Sequence, residues 1–258
     1  MIISAIEAVD FESVLLSVAG NDPFACRIIS LYNSYNAELA FVDYWLVNAD
    51  ETGECKGAVA RNGTNFIVYL SDDSVNEEVS AFIRVAGASS VLCDDKFELD
   101  LYGGTSVSGF VLERSEPVED DDNVDFSAPD IKAVYDLLVK CTDDNFTPPA
   151  FDEFYVDVNH KIRHNAIRIA SINSNDGLAA VAMTVAESSN AAVLGAVACD
   201  PEYRKHGYGS AVVRHLTNAL IDEGKTVYLH RAENANANFY ANLGFKEIGR
   251  WKEYYFGG

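Results

Sequence analysis

Apolar positions along this chain recur with two periods, two and about 3.6 residues, and the switches between them lay out the elements. Residues 10–18 and 22–35 read as two short helices, with Asp22 placed to cap the second ahead of Pro23. Residues 41–47, 55–61 and 65–70 then alternate or run apolar as strands, with Asn62-Gly63 a tight turn between the last two. Residues 74–87 return to the helical period, 90–93 to a strand, and 97–112 to more β structure interrupted at Gly103-Gly104. The same succession follows a second time. Residues 130–141 and 151–163 are expected as helices, and 166–172, 178–186 and 191–199 as strands. A helix to Gly224, a strand at 226–230, a short helix near Asn234 and strands around 247–256 complete it.

The stretch from Val193 to Cys199 is apolar throughout, which suits a strand covered on both faces, and Pro201 stops it. From Ser210 the spacing of Val212, Leu216, Ala219 and Leu220 is helical, and Gly224 is placed to end that helix. Between them lies Arg204-Lys205-His206-Gly207-Tyr208-Gly209. A helix N-terminus leaves main-chain N–H groups unpaired and carries partial positive charge, so it attracts phosphate. Two glycines let an anion approach the main chain, and Arg204 and Lys205 add formal charge, so a pyrophosphate site is expected here. A Walker loop would end in Gly-Lys-Ser/Thr, which is absent, and a dinucleotide fingerprint would set its glycines directly after the strand.

Composition narrows the field. A chain of 258 residues, 48% hydrophobic, is long enough for two domains with real cores. No run of 18 or more apolar residues occurs, so no membrane span is expected, and Met1 to Gly20 lacks Lys and Arg, which argues against a secretory signal. Cys26, Cys55, Cys93, Cys141 and Cys199 are scattered and never spaced Cys-x-x-Cys, as suits reduced thiols in a cytoplasm without structural zinc. The net charge of −21 makes nucleic-acid partners poor candidates and favours cationic ligands such as an amine. That charge is concentrated in residues 1–130, where 25 of the 40 Asp/Glu fall. The run Glu116-Pro-Val-Glu-Asp-Asp-Asp has little to bury and reads as a solvated boundary.

Arg-x-x-Gly-x-Gly after Val197-Ala-Cys-Asp-Pro resembles the acyl-coenzyme A loop of GNAT-type N-acetyltransferases. The segment Asn234-Ala-Asn-Ala-Asn-Phe-Tyr-Ala-Asn-Leu-Gly-Phe245 is similar to that family's Asn…Phe-Tyr…Leu-Gly-Phe helix, one residue short between its first Asn and the Tyr, so Asn234 or Asn236 is the candidate contact. Together the motifs cover 193–245, and the likeness extends more loosely over 130–256. The resemblance implies an α/β fold, a mixed and mostly antiparallel sheet flanked by helices, here in two tandem copies. They would be a degenerate copy over 1–115, an acidic linker over 116–129 and an acetyl-CoA-binding domain over 130–258. Ser71-Asp72-Asp73-Ser74 stands where the first copy's loop would be, and its two carboxylates would repel a pyrophosphate. For that copy three roles stay open: shaping an acceptor tunnel, self-association into a homodimer, or shielding a sheet edge.

The resemblance also implies that the catalytic strand splays from its neighbour and that pantetheine pairs with main chain at Val197, Ala198 and Cys199. The pyrophosphate would lie over Arg204, Lys205, His206, Gly207, Tyr208, Gly209 and Ser210. Tyr240 would protonate the departing thiolate, since a phenol with a pKa of about 10 keeps its proton at neutral pH. The acceptor would be a small-molecule amine or a protein lysine or N-terminus, acetylated directly in a ternary complex. The alternative is a non-catalytic acyl-CoA sensor or scaffold. The strand at 193–199 carries no carboxylate, which leaves Glu187 or a water chain as proton acceptor. Cys199 as a covalent nucleophile lacks a recognisable base, and His160 and His164, four apart on a helix, lack a third metal ligand.

Overall fold

A computed structural model describes all residues except 8–9, 50–51, 120–128, 144–145, 175–176 and 258. The chain divides into two compact units, Met1–Val111 with Ile248–Gly258, and Leu112–Glu247. Most of the acidic segment expected at 116–129 lies outside the described residues.

The first unit begins with β1 (Ile2–Ser4), a short strand the apolar pattern did not announce, followed by α1 (Phe11–Ala19) and α2 (Pro23–Ser34). Asp22 caps α2 as expected, its carboxylate accepting from the amides of Phe24 and Ala25. An antiparallel meander follows: β2 (Val42–Asn48), β3 (Cys55–Asn62) and β4 (Asn65–Leu70), turning between the last two at Gly63 with φ +62°. Then come α3 (Asn76–Ala86), β5 (Ser90–Asp94), which pairs parallel with β4, and β6 (Thr105–Arg114), which crosses from one unit to the other. Residues 97–104 are not a strand as expected. Phe97 and Leu99 are only 7% and 5% exposed, so their alternation is satisfied by burial in a loop and not by a ladder.

The second unit repeats the order. α4 (Ile131–Lys140) and α5 (Phe151–Arg163) precede the antiparallel strands β7 (Ile169–Ser174), β8 (Gly177–Glu187) and β9 (Ala191–Cys199). Next are α6 (Tyr208–Asp222), β10 (Thr226–Ala232), which pairs parallel with β9, and α7 (Ala237–Asn242). Strand order is β10-β9-β8-β7. Val134, Leu137 and Leu138 of α4 and Phe154 and Val158 of α5 pack on Val181 and Met183 of β8. Because strand side chains alternate, α6, which also packs on β8, covers the opposite face.

The last strand, β11 (Lys246–Tyr255), pairs antiparallel with β5. From Ile248 on, the chain groups with the first unit, where Tyr254 is buried in a cluster with Phe97, Leu99 and Cys93.

Candidate active site

The site is made by two strands that part. β9 and β10 pair from Ala191↔Thr226 to Leu194↔Leu229, and the rungs then stop while β9 stays on β8 as far as Ala180↔Cys199. A bulge accompanies the parting: between Val181↔Ala198 and Met183↔Gly195, one residue of β8 faces Ala196 and Val197, and Ala196 takes φ +46°. Gly195 is needed there, since a Cβ would lie 2.5 Å from Cγ1 of Val185. The gap is a cavity of about 630 Å³, with residues 194–199 of β9 on one wall and 229–232 of β10 on the other. This is why Gly195, Ala196, Val197 and Cys199 are only half-buried, against the expectation of a strand covered on both faces.

α6 opens onto the cavity with its N-terminus bare. Gly207 at the cap has φ +86°, which favours glycine, and no side chain caps the helix. The first intrahelical bond runs from Ala211 N–H to Gly207 O at 2.9 Å, so the amides of Tyr208, Gly209 and Ser210 precede the ladder. By contrast α2, α4 and the turn Pro201–Tyr203 are capped by Asp22, Asp130 and Asp200. The end of β9 is tied down beside this opening. Arg204 Nε and Cys141 Sγ both donate to Cys199 O, at 3.2 and 3.3 Å, so that carbonyl is already engaged. Lys140 Nζ reaches Asp200 at 2.8 Å; that bond, with one from Glu202 N–H, holds the Asp200 carboxyl below the usual range.

Tyr240 lies on the wall, its ring set edge-on to Phe239 and Phe245. Burial pushes its hydroxyl up to about 12, against a smaller opposing effect of the Arg231 charge. Arg231 is 5% exposed and grips the loop ahead of α7, donating to the carbonyls of Ala232, Glu233 and Ala235 and pairing with Glu247 at 2.5 Å. It thereby positions Asn236, the left-handed cap of α7 (φ +55°), on the cavity wall. Asn234 and His206 do not line the cavity, whereas Val197, Ala198, Cys199, Arg204, Lys205, Gly207, Tyr208, Gly209 and Ser210 do. Burial raises the Cys199 thiol, an effect only partly offset by its bond with the Gly209 main chain and the Arg204 charge. It is held as a thiol and not as a nucleophilic thiolate.

Glu187 is no base for this cavity. It pairs in register with Ala192, at the far end of β9, and is buried in a network with Arg168 (2.7 and 2.9 Å), Lys225 (2.7 Å) and Thr184 (2.8 Å). What sequence reasoning missed is the opposite wall: His230 follows the last rung of β10 and lines the gap. The available signal was a polar pair, His230-Arg231, closing an otherwise apolar strand.

Three comparisons bear on this geometry. Residues 131–245 match the model of the Acetyltransferase (GNAT) family. The ribosomal protein bS18-alanine N-acetyltransferase of Escherichia coli strain K12 is 36% identical over 87 residues, 33% of this chain and 58% of that protein, so the chain spans less than two thirds of that relative's length. Among solved structures, a tandem GNAT protein from the clavulanic acid biosynthesis pathway matches 98% of this chain and 97% of its own, with TM-score 0.59 and 13% identity. A GCN5-related N-acetyltransferase from Sphaerobacter thermophilus matches 98% and 94%, with TM-score 0.64 and 16% identity. At such identities the two structures speak for the fold alone, a mixed, mostly antiparallel α/β architecture shared over nearly the whole chain. Motif order and strand parting agree with the match of residues 131–245 to the acetyltransferase (GNAT) family model.

Proposed function

We propose that this chain is an acetyl-CoA-dependent N-acetyltransferase that moves the acetyl group directly to a primary amine in a ternary complex. The observation that carries the reading is the uncapped N-terminus of α6 opening onto the gap between β9 and β10. Its fit to the coenzyme rests on three features: amides at Tyr208, Gly209 and Ser210 that precede the intrahelical ladder, the cations of Arg204 and Lys205, and a strand edge left without rungs past Leu194. When bound, acetyl-CoA supplies an acetyl group activated as a thioester.

The remaining work falls to side chains. A C–N bond forms and a C–S bond breaks, so the amine must lose a proton and the departing sulfur must gain one. His230 takes the first proton, an imidazole being the side chain that changes charge near neutral pH. Tyr240 gives the second, and its raised pKa keeps it a donor across the physiological range. Main-chain N–H of the bulged strand near Val197 stabilises the developing oxyanion. The acceptor is a primary amine, either a small molecule or a protein lysine or N-terminus. The Escherichia coli relative, named for acetylating an alanine of a ribosomal protein, is consistent with the latter. The five cysteines are free, as suits a reducing cytoplasm where acetyl-CoA is made. Among the described residues no helix is long and apolar enough to cross a membrane. The first unit is a degenerate copy that holds no coenzyme.

The test is thiol release with an amine panel. Tyr240→Phe should lower kcat by about 10²- to 10⁴-fold while leaving coenzyme affinity in place. Wild-type turnover should also show no alkaline loss through pH 10: a group raised to about 12 stays protonated there, whereas an ordinary tyrosine would be half ionised at about pH 10. Unchanged turnover in Tyr240→Phe removes the donor role. Coenzyme binding without turnover on any amine favours the sensor reading.

A further inference from the structure

A second cavity of about 200 Å³ lies under α4 and α5, on the sheet face opposite α6. Leu138, Phe154, Val158, Ile167 and Met183 form its body, and Pro148 and Pro149 close it from the loop between the two helices. It borders the coenzyme-sized gap, for Phe146 and Ala196 line both. The wall between them is thin at one point. Val185 of this cavity leans on Gly195 of the other, at the position where no Cβ fits.

The polar groups of this cavity are already spent. Asp157 and Lys161 pair with each other at 2.9 Å, and Thr184 Oγ1 donates to Glu187 and accepts from Arg168 N–H. A polar occupant would leave water without finding partners, whereas a hydrocarbon group would lose nothing. The location matters equally. The cavity meets the gap at Phe146 and Ala196, beside the bulged strand along which a thioester would be held, so an amine seated in it would approach the thioester from the α4–α5 side.

We propose that this cavity is the acceptor pocket, and that the amine this chain acetylates carries an apolar substituent beside its nitrogen. The inference rests on the acetyl-transfer reading above and adds the class of acceptor to it. The charge of −21 would draw the ammonium form towards the protein, and the pocket would then select on the hydrocarbon.

The experiment uses the full chain with two homologous series: n-alkylamines from ethyl to hexyl with acetyl-CoA, and acyl-CoAs from acetyl to hexanoyl with one amine. Coenzyme binding is read separately by thermal shift. The amine series should gain about tenfold in kcat/KM per added methylene until the pocket is full. Val158→Trp should flatten that gain. Phe146→Ala, at a partly exposed position that tolerates truncation, should move the optimum to longer amines. An amine series that stays flat, or a coenzyme shift with no turnover on any of these amines, overturns the pocket but leaves the coenzyme site standing. A gain along the acyl series in place of the amine series also overturns it, assigning the cavity to the acyl arm. Absence of any coenzyme shift overturns the parent reading and the pocket together.

Discussion

Both units of this chain contain a parallel strand pair that stops pairing partway, and the two partings end differently. In the second unit β9 and β10 separate after Leu194↔Leu229, leaving a cavity of about 630 Å³. In the first, β4 and β5 separate after Ile67↔Leu92, and beyond that rung Val68, Leu70 and Cys93 pack in one cluster with Phe97 and Leu99. The approaches to the helices differ too. Gly207 leaves α6 bare, whereas the turn Asp73–Val75 ahead of α3 is capped by Asp72, whose carboxylate accepts from Ser74 N–H at 3.0 Å and is held by Lys56 at 3.1 Å. On the proposed reading, then, an anion site needs more than a parted strand pair: the gap must stay unfilled, and the turn leading into the helix must lack a carboxylate of its own.

The comparison can be broken from either side. Phe97→Ala removes a buried aromatic ring from that cluster and should cost about 3–5 kcal/mol, read from the denaturant midpoint. A loss below about 1 kcal/mol would mean that Phe97 is no plug. Gly207→Asp gives the second unit the carboxylate that the first possesses. Like charge at the phosphate position costs several kcal/mol, so coenzyme affinity should fall at least about a hundredfold in calorimetry. Normal affinity in that variant would place the pyrophosphate elsewhere.

The second half of this comparison was legible in the sequence and much of the first was not, for physical reasons. The loop at Arg204–Gly209 could be read because glycine spacing, an apolar strand and a helical period are all local signals. Phe97, Leu99 and Leu101 alternate as a strand does, yet alternation reports only that one side is buried, and here a loop supplies that burial. Glu187 is near β9 along the chain, but an antiparallel hairpin carries it to the end away from the gap. His230 became a candidate only once the parallel register showed which strand forms the other wall. Likewise β11 reads as a strand from its own residues, while its partner β5 is more than 150 positions away. The bulge at Ala196 has no local signal, because an alanine at φ +46° is set by its surroundings.

The smallest expected effect belongs to Asp72→Ala, and it isolates one of the two differences. The Asp72 carboxyl is held below the usual range, first by its bonds from Ser74 and then by Lys56. A depressed pKa gives stability that is present above the ordinary carboxylate range and lost as pH falls through the folded value. Removing the side chain should therefore cost about 1 kcal/mol or less at neutral pH and less still in acid. It also strips the carboxylate from the turn leading into α3 while Phe97 and Leu99 remain in place. If the plug keeps that parting shut, calorimetry will still count one coenzyme per chain. Two per chain would mean that a single carboxylate, and no difference in packing, had silenced the first unit.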